Sequence, residues 1–362
     1  MSLQQWRQLA LGAPRAWGSP AATGILRATP EDFVVEEDLG FAPDGDGAHL
    51  LLKVRKRNAN TGWVAQELAR GLGCHVRDIG FAGLKDRRAV AIQWFSLPLT
   101  PRALQTAAGF VNPEFAVLEV HRHRRKLPRG ALAGNAFAIR IREYSGSAAA
   151  LRERCEAILR SGVPNYFGPQ RFGREASNLA RLAGSAAAES APQRRPARPD
   201  SFVLSAARSL VFNAVVGQRV RDASWGTLNL GDVANLDGRG SVFAVEELSA
   251  DLPQRLADLA VHPTGPMWGS GELMTGGAVR DMEQRIGLEL PRACEFAVAA
   301  GLRQERRSVR LRVRDLQWER DGDGVLLRLW LRSGSFATAV LREILADQAP
   351  GDQSAVVDAD DA

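Results

Sequence analysis

Gly80-Phe81-Ala82-Gly83-Leu84-Lys85-Asp86-Arg87-Arg88-Ala89-Val90, running into the apolar segment Ala91-Ile92-Gln93-Trp94-Phe95-Ser96-Leu97, is the stretch around which the chain is organised. Its two glycines, Gly80 and Gly83, permit close backbone approach or unusual dihedrals. They deliver one carboxylate, flanked by Lys85, Arg87 and Arg88, to the mouth of a strand. A reactive acid can be presented in this way. Taken alone, an aspartate among cations reads more readily as a neutralised surface turn, so residues elsewhere in the chain must decide.

The 362 residues are 45% hydrophobic and 24% charged, enough for a substantial core and for two domains. No apolar segment approaches the roughly 20 residues that span a bilayer, and Met1 to Gly12 has no basic region followed by an apolar one, so a cytoplasmic location is expected. Cys74, Cys155 and Cys294 are odd in number and far apart, which predicts free thiols rather than disulfides or a zinc site. A net charge of +6 and a pI of about 9.8 favour a polyanionic partner. Only Lys53, Lys56, Lys85 and Lys126 are lysines in a chain that otherwise uses arginine, a mild sign that a compact ammonium is wanted beside Asp86. Asp352, Asp358, Asp360 and Asp361, after Pro350-Gly351, read as a disordered acidic tail.

Phe33-Val34-Val35-Glu36-Glu37 follows Thr29-Pro30-Glu31-Asp32 and reads as a strand led in by a turn; after Asp44-Gly45-Asp46-Gly47, the run His49 to Val54 is expected to be its hairpin partner. From Thr61 as N-cap, Val64, Leu68 and Leu72 share a helical face that ends at Gly71 and Gly73. Phe115 to Val120 predicts another strand. The basic run His121-Arg122-His123-Arg124-Arg125-Lys126-Leu127-Pro128-Arg129 follows it and suits phosphate oxygens better than a metal ion, the alternative being a solvated loop. From Phe137 the chain alternates, so Phe137, Ile139 and Ile141 share a strand face with Asn135 just before them on the same side.

A helix is expected over Ala148–Arg160. Asn165 to Gly173 is rich in aromatics and in amide or guanidinium donors, which fits either an aromatic-packed domain junction or base contact. Ser185 to Asp200 reads as a mobile loop, followed by a largely buried helix through Leu204, Ala207, Val211, Val215 and Val216; a further helix is expected near Ala278–Ile286. No phosphate-binding Gly-x-x-x-x-Gly-Lys-Ser/Thr motif occurs. Val309, Leu311 and Val313 alternate, as do Val325, Leu327, Leu329 and Leu331, predicting a hairpin across Asp321-Gly322-Asp323-Gly324. A plain two-residue turn would set the apolar faces on opposite sides, so a three- or five-residue loop or a bulge is expected. Ser335 reads as the cap of a last helix in which Phe336, Ala339, Val340 and Ile344 share a face.

Taken in order, Thr29-Pro30-Glu31-Asp32-Phe33, Gly83-Leu84-Lys85-Asp86-Arg87, Gly134-Asn135-Ala136-Phe137, Asn165 to Gly173 and Gly334-Ser335-Phe336-Ala337-Thr338 resemble the signature segments of the TruD family of tRNA pseudouridine synthases. The resemblance covers most of the chain. It implies a mixed α/β (α+β) pseudouridine-synthase-like core with a mixed, mainly antiparallel sheet, built from residues 1–160 and 311–362, with a family-specific α/β TRUD domain inserted over 161–310. It places the catalytic aspartate on Asp86 and the residues that hold the uridine on Phe33, Asn135 and Phe336, with Phe137 as the aromatic beside the catalytic group and Lys85 and Arg87 in support. The implied reaction is uridine-to-pseudouridine isomerisation at position 13 of tRNA, by a monomer needing no membrane and no metal or other cofactor.

The residue types agree with that chemistry. Breaking an N-glycosidic bond and rejoining the base through carbon needs a carboxylate, as nucleophile or as base, and no redox or metal centre. A stacked uridine must be extruded to reach Asp86, aromatic side chains offset the lost stacking by roughly 1–3 kcal/mol per base, and an amide such as Asn135 can both donate to and accept from uracil. A non-catalytic RNA-binding protein on the same fold is the rival reading. A metal-dependent nuclease fits worse, because Asp86 stands alone among cations. Which cation pairs with Asp86 stays open among Arg87, Arg88 and a distant arginine, since Lys85 would point the opposite way on an extended backbone.

Overall fold

The alternating runs Phe137–Ile141 and Val325–Leu331 become neighbouring strands of one large sheet, as their single apolar faces require. The computed structural model describes residues 1–185 and 200–346. The loop expected between Ser185 and Asp200 and the acidic tail from Asp352 lie outside these residues. The first half runs α1 (Leu3–Leu11), β1 (Ala22–Leu26), β2 (Phe33–Asp38), β3 (His49–Arg57), α2 (Thr61–Leu72), β4 (Gly80–Phe81), β5 (Val90–Pro98), α3 (Pro101–Thr106), β6 (Val111–Asn112), β7 (Phe115–His123), β8 (Gly134–Gly146) and α4 (Ala148–Ser161). Then follow β9 (Val163–Pro164), α5 (Ser177–Ser185), α6 (Ser201–Arg221), β10 (Val233–Leu236), β11 (Val242–Ala244), α7 (Leu252–Ala257), β12 (Val261–Met267), α8 (Gly277–Glu289) and α9 (Pro291–Ala299). The last elements are β13 (Glu305–Ser308), β14 (Arg310–Leu311), β15 (Arg314–Asp321), β16 (Gly324–Arg332) and α10 (Ala337–Ile344).

Ten strands form the main sheet in the order β15-β16-β8-β2-β5-β3-β7-β6, with β1 beside β8 and β4 beside β5. Among the described residues only the β2–β5 strand pairing of this sheet is parallel, so the sheet is mixed and mainly antiparallel, as expected. One face carries Phe33 and Val35 of β2, Phe137, Ile139 and Ile141 of β8, and Leu327, Leu329 and Leu331 of β16, packed against Leu151 and Ile158 of α4 and Val340 and Ile344 of α10. Further along the same face, Leu50, Leu52 and Val54 of β3 and Phe95 of β5 pack against Val64, Leu68 and Leu72 of α2.

The expected hairpin between β2 and β3 does not form, because β5 lies between them, parallel to β2 and antiparallel to β3. From Gln93 to Leu97 every residue of β5 is buried, whichever face it points to, so this strand belongs in the sheet interior with a partner on each side. In the last hairpin, Val309 to Val313 is not the first strand: β14 pairs with β9 and β15 begins at Arg314. The turn is the short one, with Asp321 opposite Gly324, and the phase conflict is resolved by a bulge between Arg314 and Gln317, where Asp315 has φ 52°. Two caps also differ. Asn60 and Phe336, rather than Thr61 and Ser335, occupy the N-cap positions of α2 and α10, and neither caps with its side chain.

The segment between β9 and β14 has its own sheet, β11-β10-β12, extended by β13, and its own core around α6, whose residues from Val203 to Val216 are mostly buried. Tyr166, Phe167 and Phe172 pack into this core, so the aromatic cluster at 165–173 is an aromatic-packed junction. Arg306 donates through Nη1 and Nη2 to the two oxygens of Glu283 at 2.9 and 2.8 Å and through Nε to Thr264 Oγ1 at 2.9 Å, with both charged side chains at most 2% exposed. Removing one member of such a pair strands the other charge. Arg306→Met is therefore expected to lower unfolding stability by about 3–5 kcal/mol, read from the shift in the chemical-denaturation midpoint.

Candidate active site

Gly80 cannot carry a side chain: a Cβ there would lie 2.5 Å from Ser96 Oγ and 2.6 Å from the Leu127 carbonyl. This close approach packs the start of the loop onto the sheet. Gly83 has no such constraint, since a Cβ there would meet nothing within 4 Å; its contribution is its carbonyl, which accepts from Gln93 Nε2 at 2.6 Å.

Register places Gln93, Glu37 and Asn135 side by side on β5, β2 and β8, on the inner face, with Lys56 of β3 further along it. All four are buried, and they form a polar seam between the two apolar packings on that face. The seam holds the Asp86 loop by its backbone. Thr61 Oγ1 donates to Gln93 Oε1 at 2.9 Å and accepts from the Lys85 N–H at 3.1 Å. Lys56 Nζ donates to the carbonyls of Ala59 (2.7 Å), Lys85 (3.3 Å) and Asp86 (3.0 Å). Lys85 turns inward, and its Nζ lies 2.8 Å from Glu37 Oε1. Burial pushes the Glu37 carboxyl up and the Lys85 charge opposes it, while Glu37 Oε2 accepts from the Trp94 N–H at 2.8 Å.

With Lys85 committed to Glu37, Asp86 finds a different partner. Arg27 Nη2 donates to Asp86 Oδ2 at 2.7 Å, with the two side chains 31% and 44% exposed. An ion pair this open contributes little to stability. Arg27 follows the end of β1 with φ 58°, a left-handed conformation unusual for a residue with a side chain and one that collects at functional sites. Its guanidinium also lies 4.0 Å from the centroid of the Phe33 ring, and Phe33 meets Phe137 edge-on at 5.9 Å. Asp32 fixes the start of β2 from beneath: it is fully buried, accepts two bonds from Arg142 Nε and one from its Nη2, and accepts from the Thr29 N–H.

The structure thus brings together Asp86, Arg27, Phe33 and Phe137, and sets Asn135 directly opposite Glu37. Asn135 Oδ1 is buried without a hydrogen-bond partner among the described residues, which leaves an acceptor unsatisfied at a cost of about 1–3 kcal/mol. Phe336 is the N-cap residue of α10. It is half-buried against the other core, 6.0 Å from Phe167, with Arg171 at 5.8 Å from its ring. Beside them Arg307 lies 4.4 Å from the Phe167 ring and donates to Asn165 Oδ1 and the Gly334 carbonyl; burial, and then the like charge of Arg171, lower its pKa to about 10.

Arg87 is exposed and its side chain makes no hydrogen bond or ion pair with the described residues; the cation paired with Asp86 is Arg27. Arg27 is not legible in the sequence, since it lies outside every periodic element and two residues before the Thr29-Pro30 turn. The basic run is largely engaged within the protein: Arg124 pairs with Asp46, His123 lies 2.8 Å from Asp44, and Lys126 donates to the Arg77 carbonyl at 2.6 Å. Arg129 lies 3.8 Å from the Phe81 ring centroid. Arg125 is exposed, and its side chain has neither a hydrogen bond nor an ion pair with the described residues. No helix among the described residues is long and apolar enough to cross a membrane.

A sequence profile of the family described as tRNA pseudouridine synthase D (TruD) matches residues 14–188 and 174–344. The chain is 42% identical over 348 residues to the tRNA pseudouridine synthase D of Pseudomonas putida strain W619, covering 96% of this chain and 98% of that protein. To the tRNA pseudouridine synthase D of Nitrosococcus oceani it is 41% identical over 332 residues, covering 91% and 92%. A crystal structure from Methanosarcina mazei, described as a putative tRNA pseudouridine synthase D, shares the fold with a TM-score of 0.71 at 21% identity, covering 95% of this chain and 98% of that one. With a profile match along most of its length and relatives at this level of identity, the chain belongs to the TruD family, that of tRNA pseudouridine synthase D.

Proposed function

We propose that this tRNA pseudouridine synthase acts at uridine 13 of tRNA, with Asp86 as the reacting carboxylate and the target uridine turned out of its stack. The observation that carries the reading is an exposed carboxylate on a loop held by its backbone, paired with Arg27 over an aromatic floor of Phe33 and Phe137. In the reaction the bond from N1 to C1′ breaks, the uracil turns, and a bond from C5 to C1′ forms; C5 loses a proton and N1 gains one, so nothing is oxidised. Asp86 serves either by attacking C1′ or by taking a proton from the sugar to open a glycal route. Asn135, with Oδ1 unsatisfied, supplies an acceptor for the uracil N3–H, which cytosine lacks. Phe336, beside Arg171, offers a further aromatic to the RNA.

The separate sheets support a catalytic core of residues 1–160 and 311–362 with a TRUD domain inserted over 161–310. We take the protein to act as a cytoplasmic monomer. Incubation with unmodified tRNA followed by pseudouridine mapping tests the assignment: new pseudouridine at position 13 supports it, and its appearance only elsewhere in the tRNA refutes the position. Arg124 is already paired with Asp46, whereas Arg87 and Arg125 are exposed and their side chains make no hydrogen bond or ion pair with the described residues, so both can meet phosphates. Replacing both by alanine should flatten the plot of log K against log salt by about 0.7–0.9 for each phosphate no longer neutralised, while Arg124→Ala should change it less.

A further inference from the structure

Lys56 is fully buried, on a strand whose other lysine, Lys53, reaches Glu36 and Glu119 at the surface. Taking an ammonium out of water is costly, and an apolar side chain of similar length would pack the same space. What the ammonium adds is directional bonding to the carbonyls of Ala59, Lys85 and Asp86, so it grips the chain on both sides of the Asp86 Cα. Gln93 and Thr61 hold the same loop further back, at Gly83 and Lys85, whereas Lys56 reaches the Asp86 carbonyl itself. Lys56 also ties Ala59, in the turn before α2, to the Asp86 loop, so the two segments are held by one cation.

The geometry points to Lys56 as a positioning residue for the reaction, one that fixes the Asp86 backbone so that its carboxylate meets the sugar carbon. This inference rests on the reading of Asp86 as the reacting group. A nucleophile or base displaced by about 1 Å loses rate by about 100-fold without loss of substrate affinity, because phosphates held elsewhere provide most of the binding. The effect should therefore fall on kcat and spare KM.

Lys56→Met, Lys56→Gln, Thr61→Val and Asp86→Asn, each in the full chain, would be compared by single-turnover pseudouridylation of tRNA at saturating enzyme and by tRNA filter binding. Thermal melting would check that each variant folds. Lys56→Met is expected to fold, to bind tRNA within about threefold of the parent and to turn over about 100-fold more slowly. Lys56→Gln, which keeps a donor for the carbonyls, should recover part of that rate, and this recovery is what a merely space-filling role would not give. Should Lys56→Met fail to fold, the Gln variant carries the test. A folded Lys56 variant with the parent's rate, beside an inactive Asp86→Asn, overturns the role of Lys56 alone. An active Asp86→Asn overturns the reading of the site itself. Equal losses in the Lys56 variants and Thr61→Val would assign the effect to general loosening of the loop and also overturn the specific role.

Discussion

Asp86→Asn is expected to lower pseudouridine formation in tRNA by about 10⁴-fold or more while leaving tRNA affinity within about threefold. The substitution keeps the size of the side chain and the main-chain bonds from Lys56, so the loop stays in place. It removes the negative charge, and an amide can neither attack C1′ nor take a proton from the sugar. Affinity is spared because binding rests on phosphates and on surfaces far from one exposed carboxylate. Pseudouridine mapping over a long time course, with filter binding in parallel, measures both quantities. Turnover that survives would show that another group carries the reaction and that Asp86 is a neutralised turn. Affinity that falls with turnover would make Asp86 a binding residue instead.

Arg27→Met should produce the next largest effect, a fall of about 100-fold in kcat/KM. Methionine preserves much of the stem that packs on Phe33 but removes the donor to Asp86 Oδ2. The carboxylate then loses both a fixed direction and its paired positive charge, and the preorganisation that lets it act without reorientation goes with them. Because the pair is partly exposed, folding stability should change by no more than about 1 kcal/mol, so a melting curve close to the parent's beside a large kinetic loss identifies the role. Arg27→Lys, which restores a charge but no planar fork, is expected to lie between the two. Equal activity of Arg27→Met and the parent would show that Asp86 takes its orientation from the backbone alone.

Much of the sheet can be read from the sequence because strand alternation is local. Phe137, Ile139 and Ile141 report their common face by spacing alone, and Asn135 falls in phase with them. The wrong hairpin has an equally physical cause: two neighbouring strands with a turn between them predict a local pairing, whereas β5, far downstream of the turn, takes the place between them through a parallel pairing that leaves no short-range trace. The bulge in β15 can be anticipated because two apolar faces have to agree, although the turn itself is the short form. In the site, alternation correctly separates Lys85 from Asp86. It does not reveal the partner Glu37, since a glutamate near the end of an otherwise half-exposed strand looks like surface until β5 and β8 close on both sides of it. Lys56 is hidden for the same reason, and Arg27 because a left-handed turn has no repeating pattern.

Phe33 is only 3% exposed, with Phe137 against it edge-on and the Arg27 guanidinium lying over its ring. A base that approaches Asp86 therefore meets a flat cation before it meets the phenyl ring. The guanidinium plane can stack a base on its outer side, or slide away and surrender the ring to it. In either case the Phe33 ring is covered, before any base arrives, by the protein's own planar side chain. On the proposed reading, admission of uracil would exchange one flat partner for another.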